Sequence, residues 1–375
     1  MIYLDNAATG WPKPYTVINA VRSGMTALAA NPGRGGYAMS LETAEAVYNV
    51  RMLAADFFGA SAPENVIFTA GCTHAVNLAL TGFLPAGSHV VVSDREHNAV
   101  MRPLYALAQR GVLSYSVAQI GADTANADRY FEAEIRPETG MLFCIGTSNV
   151  TGEMLPLEKI GALAARRGLL FAVDAAQTAG IRKISMQSAQ ISLLCAAGHK
   201  SLYGPMGVGL LIAEGCRPLD ALIYGGTGSN SADYAQPDFL PDALESGTLN
   251  VPGILGLGEG IRFVRELGEE NIFAHENALA RRLYAGLSRI RGLKLLSGEP
   301  ESNVVSFAAE GVGSEEIARR LAQEDVCVRG GLHCAPSAHA LTGTLQSGAV
   351  RMSFGVYNDA GQLDEVLHAV SRSLR

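Results

Sequence analysis

The chain has 375 residues, 48% of them hydrophobic and 17% charged, with a formal net charge of −7. That length suits two packed domains, and the composition is that of a globular enzyme, not a disordered or fibrous chain. The acidic balance, with no Lys/Arg run interleaved with aromatics, excludes a general nucleic-acid or anionic-membrane binder, and no apolar stretch is long enough to span a bilayer.

Residues 1–14 contain Trp-Pro-Lys-Pro, which breaks regular structure, so an extended arm packed on the smaller domain is expected. The opening "MIYLDNAATGW" lacks the basic-then-apolar pattern of a secretion signal. Six cysteines, at 72, 144, 195, 216, 327 and 334, form no CxxC pair and no disulfide-like framework. A reducing cytoplasm is the expected compartment. No metal site is expected.

From about residue 60 to 215, apolar runs alternate with amphipathic segments. "ENVIFTAG" leads into "CTHAVNLALTGFL", "SHVVVSDREH" into "AVMRPLYALAQRG", and "GMLFCIGTSNVTG" into "PLEKIGALAARRG", before "LLFAVDAAQ". This rhythm predicts an α/β fold with a mainly parallel central sheet and helices on both faces, over residues 15–250. Residues 251–375 read as long helices, a strand "NVVSFAAE", a helix "SEEIARRLAQED" and a short strand "VCVRGG". They are expected to form a smaller α+β C-terminal domain.

Ligands of such sheets bind beyond the C-terminal strand ends, and Thr73, His97, Asn149, Asp174 and Lys200 each follow an apolar run. "GHKS" is not a phosphate-binding P-loop, because His199 stands where the second glycine must be, and no GxGxxG opens a βαβ unit. Asp174 can be read as a helix N-cap or as the partner of a protonated pyridine nitrogen. The second reading needs a lysine for the cofactor's aldehyde, and Lys200 follows the next apolar run. A phosphate cradle is expected at "FTAGCTHAVNLAL", from Thr73 and the backbone around Cys72, at the start of a helix. His97 can stack on a ring or serve as a hydrogen-bonded loop residue. Together these residues point to pyridoxal 5'-phosphate.

The motifs "YLDNAAT", "NPGRGGY", "FTAGCTHAVN", "EHNAV", "SNVTGE", "VDAAQ", "GHKSLYGPMGVG", "ESGTLN", "RGGLHCAP" and "RMSFGVYN" occur in this order along the chain. In that order they resemble the class V aminotransferase-like, pyridoxal-phosphate-dependent enzymes, and within them the group of cysteine desulfurases and selenocysteine lyases. The resemblance implies fold type I, a small C-terminal domain carrying the catalytic cysteine loop, and a homodimer with active sites at the interface. It implies Lys200 as the residue bonded to the cofactor aldehyde, Asp174 at the pyridine nitrogen, Gln177 at the ring hydroxyl and His97 stacked on the ring. Thr73 and His199 resemble phosphate ligands, and Thr248 the residue that reaches the neighbouring subunit's phosphate. Asn149 would face cofactor and substrate, and Arg351 would pair with the substrate carboxylate through its planar fork.

Cys334 lies among glycines and Ala-Pro-Ser, with His333 and Arg329 near in sequence, so an exposed, mobile loop with cations to favour the thiolate is expected. The other five thiols lie in or beside apolar runs and read as inert. In the family, the cysteine at this position takes sulfur from L-cysteine as a persulfide and passes it to an acceptor protein. Iron–sulfur clusters, tRNA thiolation and selenium pathways would all use the same site. Two other readings remain open: a lyase of selenocysteine or another amino acid, and a sulfur-relay subunit active mainly with a partner. Ala197 stands where many relatives carry a hydroxyl, Cys72 replaces a common Thr, and "SAHALTGTLQSGAV" matches no well-characterised subgroup.

Overall fold

A computed structural model describes residues 1–33 and 35–374; Arg34, within the "NPGRGGY" motif, lies outside the described residues. The chain opens with strand β1 (Ile2–Tyr3) and helices α1 (Tyr15–Gly24) and α2 (Ala38–Phe58). The alternating region then runs β2 (Val66–Thr69), α3 (Cys72–Gly82), β3 (His89–Ser93), α4 (Asn98–Gln109), β4 (Ser114–Ala118) and α5 (Ala127–Ala133). It continues through β5 (Thr139–Ile145), α6 (Leu157–Arg167), β6 (Leu170–Asp174), β7 (Leu193–Ala197) and β8 (Gly209–Ala213). The C-terminal part comprises α7 (Val251–Leu267), α8 (Glu269–Leu287), β9 (Leu293–Leu295), β10 (Val304–Ala309) and α9 (Ser314–Gln323). After it come β11 (Val326–Cys327), β12 (Arg329–Gly331), α10 (Pro336–Thr342), β13 (Ala349–Ser353) and α11 (Leu363–Ser373).

β2 to β8 form a seven-stranded sheet in the order β2-β8-β7-β6-β5-β3-β4, in which β8 alone runs antiparallel to its neighbours. Both faces are covered. Val91 of β3 packs into one hydrophobic cluster while Val90 and Val92 pack into the other. Leu142 and Cys144 of β5 alternate in the same way with Met141 and Phe143. Strands buried on two sides read as continuous apolar runs, which is why they stand out in the sequence. β4 does not, because its "SYSVA" sits at the sheet edge with an exposed end.

A second core gathers α8, α9, α11 and the antiparallel sheet β12-β13-β10-β9. α7 does not belong to it, contrary to the expected boundary at 250. Val251, Ile254, Leu257 and Ile261 pack into the core of the large domain. Close approach of backbones explains this allegiance: a Cβ on Gly260 would stand 2.1 Å from the Leu202 carbonyl oxygen, so only glycine lets α7 lie against that loop. The single strand expected at "VCVRGG" is two. β11 pairs in parallel with β1 of the arm, whereas β12 joins the four-stranded sheet.

The arm serves both domains. Leu4 N–H donates to the Cys327 carbonyl (2.8 Å) and Ala7 N–H to Ser353 Oγ (2.8 Å), both in the small domain. A few residues on, Gly10 N–H, Thr9 Oγ1 and Lys13 Nζ all donate to the His199 carbonyl, at 3.0, 3.0 and 2.7 Å. No helix among the described residues is long and apolar enough to cross a membrane.

Candidate active site

Beyond the C-terminal ends of the parallel strands lies a cavity of about 860 Å³, closed on one side by β12, β13 and the turn before α10. Ten of the eleven residues singled out from the sequence line it. The exception is Thr248, an exposed residue in a separate hollow beside Arg51 and Thr227.

Lys200 follows β7 in a tight turn, with Tyr203 N–H bonded to the Lys200 carbonyl (2.9 Å) and Gly204 N–H to that of Gly198 (2.8 Å). Burial lowers the ammonium's pKa, against the opposing pull of Asp174. Its Nζ has no hydrogen-bonding partner among the described residues. Asp174 closes β6 and is 2% exposed. Its Oδ1 accepts from Ala176 N–H (2.8 Å) and from the Cys72 thiol (3.4 Å). The capping bond of the simpler reading is therefore present, although residues 175–181 form a turn and not a helix. Oδ2 is left facing the cavity without a partner among the described residues.

α3 starts at the same rim with no side-chain cap; its N-cap is Gly71, at φ 149°, a conformation L side chains rarely adopt. A Cβ at Gly71 would meet nothing within 4 Å, so the backbone N–H groups of Cys72 and Thr73 open onto free space. An uncapped eleven-residue helix beginning at a cavity wall is an anion cradle. Thr73 is exposed there, and His199 Nδ1 is buried without a partner on the opposite wall. Burial, then Lys200 and Lys13, holds the His199 imidazole down at about 4. Cys72 does not aim its thiol at this cradle. Burial and the adjacent Asp174 carboxylate push its pKa well up, so it stays a thiol and donates to Asp174. Cys144 and Cys195 are fully buried, as expected.

His97 caps α4, its Nδ1 accepting from Ala99 N–H (3.0 Å), so the neutral ring carries its proton on Nε2. Burial lowers its pKa, with Asp174 opposing. Gln177 donates from Nε2 to the Ala7 carbonyl (2.9 Å), tying the arm to the cavity floor.

The corner around Arg351 is built by β13. Arg351 is 2% exposed. Its Nη2 pairs with Asp5 Oδ1 (2.9 Å), its Nη1 donates to the Asn149 carbonyl (3.2 Å), and its Nε is buried without a partner. Asn149 donates from Nδ2 to the His333 carbonyl (2.8 Å), and its Oδ1 is also unpartnered. Asp5 carries no signal beyond an acid inside an apolar arm, and sequence reasoning missed it.

Cys334 is exposed at the cavity mouth, in a turn where His333 (φ 49°) and Cys334 (φ 56°) are both left-handed. The segment is a short turn held by backbone hydrogen bonds. The Cys334 carbonyl accepts from Asn98 N–H (2.7 Å), and Ala335 N–H donates to Leu332 (2.9 Å). His333 is not a cation beside the thiol. Burial, then Arg351, pulls its pKa down to about 3.

Unpartnered atoms around this cavity fit a flat, phosphate-tailed aromatic aldehyde: N–H groups and His199 for the phosphate, a carboxylate for a ring nitrogen, an amine for the aldehyde. An arginine with a vacant Nε suits a carboxylate, and an exposed thiol lines the same cavity.

The profile of the aminotransferase class-V family matches residues 2–366. A probable cysteine desulfurase of Pseudomonas putida is 33% identical over 99% of this chain and 93% of its own length. One from Vibrio cholerae is 29% identical over 100% and 94%. Among solved structures, the apo cysteine desulfurase of Thermococcus onnurineus superposes with a TM-score of 0.90, at 27% identity, covering 100% of this chain and 94% of the other. The Escherichia coli cysteine desulfurase CsdA gives 0.89 at 26% identity, covering 99% and 94%.

Proposed function

The chain belongs to the aminotransferase class-V family, and from that premise we propose that it is a cysteine desulfurase dependent on pyridoxal 5'-phosphate. One observation carries the reading: a lysine of lowered pKa, a buried carboxylate, a buried arginine with a free Nε and an exposed thiol share one cavity. The solved structures named above are of cysteine desulfurases and the sequence relatives are named probable cysteine desulfurases, which supports the same substrate here.

The cofactor would supply an aldehyde for the substrate's amino group and a ring that accepts electrons from the adjacent carbon. Asp174 Oδ2 would hold the ring nitrogen protonated, because the Cys72 thiol and Ala176 N–H already occupy Oδ1. The backbone N–H groups at the start of α3, Thr73 and His199 would hold the phosphate. His97 would lie against the ring, and the second Nε2 hydrogen of Gln177 would serve the ring hydroxyl. Arg351 takes the substrate carboxylate through Nε, with Asn149 beside it.

Burial lowers the pKa of Lys200, which favours its amine form, and its Nζ is the group proposed to accept the Cα proton. The Cys334 thiolate then attacks the substrate sulfur. The C–S bond breaks and leaves its electron pair on the substrate carbon, and a persulfide forms on Cys334. The proton held by Lys200 and the one given up by the Cys334 thiol return to the two carbons as alanine leaves. Cysteine and one thiol become alanine and one persulfide, with no outside oxidant. The exposure of Cys334 supports onward transfer to an acceptor protein. Thr248, exposed and outside this cavity, together with Met39, Leu41, Tyr48 and Met52 exposed along α2, supports a homodimer in which Thr248 reaches the neighbour's phosphate.

Alanine release from L-cysteine by the pyridoxal-phosphate-loaded protein under reductant tests the proposal. Release that is lost in Cys334→Ala supports it. No release, or release untouched by that substitution, refutes it, and activity on selenocysteine alone would move the substrate.

A further inference from the structure

The segment from Ser337 to Val350 has no part in the steps above, yet it folds tightly behind the cysteine turn. It places His339 against His333: His333 Nδ1 lies 3.2 Å from His339 Nε2, and the two ring planes are within 14° of parallel with centroids 5.5 Å apart. His339 Nδ1 is 2.7 Å from Thr344 Oγ1. At the other end, His333 Nε2 is 3.3 Å from the Arg329 carbonyl.

The direction of this chain follows from what each group can do. A carbonyl only accepts, so His333 carries its proton on Nε2 and accepts at Nδ1. His339 must then donate from Nε2, which leaves its Nδ1 to accept from the Thr344 hydroxyl. Each ring is confined to one neutral tautomer. Burial supports the same assignment, lowering the pKa of both imidazoles. His339 and Thr344 are 0% and 2% exposed, so water does not compete for their bonds.

The turn that this chain supports needs support. Two consecutive L residues in the left-handed region are disfavoured and persist only where their surroundings hold them. Asn149 and Asn98 hold the carbonyls of His333 and Cys334. The side-chain hold on His333 from the small domain is His339.

We propose that His339, fixed by Thr344, is a positioning residue that locks His333 and thereby keeps the Cys334 thiol at the cavity that Arg351 and Arg329 also line. This rests on the reading of Cys334 as the sulfur-accepting thiol.

Three variants of the loaded protein test it. His339→Gln offers an amide donor and acceptor spaced much as the imidazole nitrogens are. His339→Leu fills the space with neither, and Thr344→Val removes only the hydroxyl. The first readout is the ratio of alkylation rates at Cys334 by iodoacetate and iodoacetamide, followed by peptide mass. Only iodoacetate has a carboxylate for Arg351 and Arg329 to attract, so the ratio reports whether the thiol sits beside those cations. The ratio should fall about threefold or more in His339→Leu, fall in the same direction in Thr344→Val, and stay near wild type in His339→Gln. The second readout is alanine formation. In His339→Leu kcat should drop about tenfold or more at nearly unchanged KM, because Arg351 and Asn149 hold the substrate, and His339→Gln should recover most of it.

An unchanged ratio in a folded His339→Leu protein overturns the proposal, as does equal loss in the Leu and Gln variants. If His339→Leu does not fold, an unchanged ratio in Thr344→Val overturns it. Alanine formation that survives Cys334→Ala would sink the sulfur-transfer reading instead, and the alkylation ratio would still judge the relay.

Discussion

Arg351→Lys keeps a positive charge in the corner proposed to take the substrate carboxylate and removes the fork. In the native site, Nη2 is committed to Asp5 and Nη1 to the Asn149 carbonyl, and Nε remains for a ligand. A lysine has a single ammonium on a stem that cannot serve these three directions at once. With Asp5 retaining its ion pair, the ligand carboxylate loses one charge-assisted hydrogen bond, worth about 1.5–3 kcal/mol. At about 1.4 kcal/mol per tenfold, KM for cysteine should rise roughly 10- to 150-fold, with kcat changed little. Initial rates of alanine formation against cysteine concentration, under reductant, measure both constants. Cysteamine, which has no carboxylate, should be handled alike by the two proteins. A KM within about threefold of wild type would refute the assignment of Arg351, and so would an equal loss with cysteamine.

Lys200→Ala should lower alanine formation by about 10²–10⁴-fold or more and abolish the absorbance gained on mixing with pyridoxal phosphate, at an unchanged melting temperature. Absorbance that persists would show that another residue holds the aldehyde. Cys72→Ala should shift the pH titration of that absorbance, because Asp174 loses a donor, and Cys72→Ser should restore it; identical titrations in all three proteins would contradict a role for the thiol. Glu276, fully buried on α8, has its pKa raised from 4.5 to about 8 by burial. Its folded pKa exceeds its unfolded one, so its contribution is intact below pH 4.5 and is lost as pH rises towards about 8. Glu276→Gln, which can still accept from Asn303 Nδ2, should therefore remove about 1.4 kcal/mol per pH unit of slope across that window. Melting temperatures at pH 5 and pH 8 check this, and equal slopes in both proteins would disprove it.

The parts legible in the sequence were those in which neighbouring residues carry the whole signal. β3, β5, β6 and β7 are buried on both faces and appear as apolar runs, and the residues just after them face the cavity. Asp174 and Lys200 could be found for that reason alone. What escaped depends on contacts between distant segments. Asp5 and Arg351 are 346 positions apart, and nothing local announces the pair. The periodicity of α7 predicts a helix, but not which core receives it; that is decided by how near Gly260 can approach the Leu202 carbonyl. His333 next to Arg329 suggested a cationic setting, but burial among cations makes an imidazole neutral. Cys72 read as inert because it precedes an apolar helix, whereas its thiol turns towards Asp174.

The arm's grip on the His199 carbonyl has a mechanical meaning. Three donors converge on one oxygen, one peptide away from Lys200, and the same arm is laced into β11 and β13. The half of the molecule that carries Cys334 is thus tied to the residue before Lys200 by a strap of about ten residues. A rocking of that half away from the sheet would pull on the backbone that aims Lys200, so thiol and amine are kept in register by a tie lying outside both of their own segments.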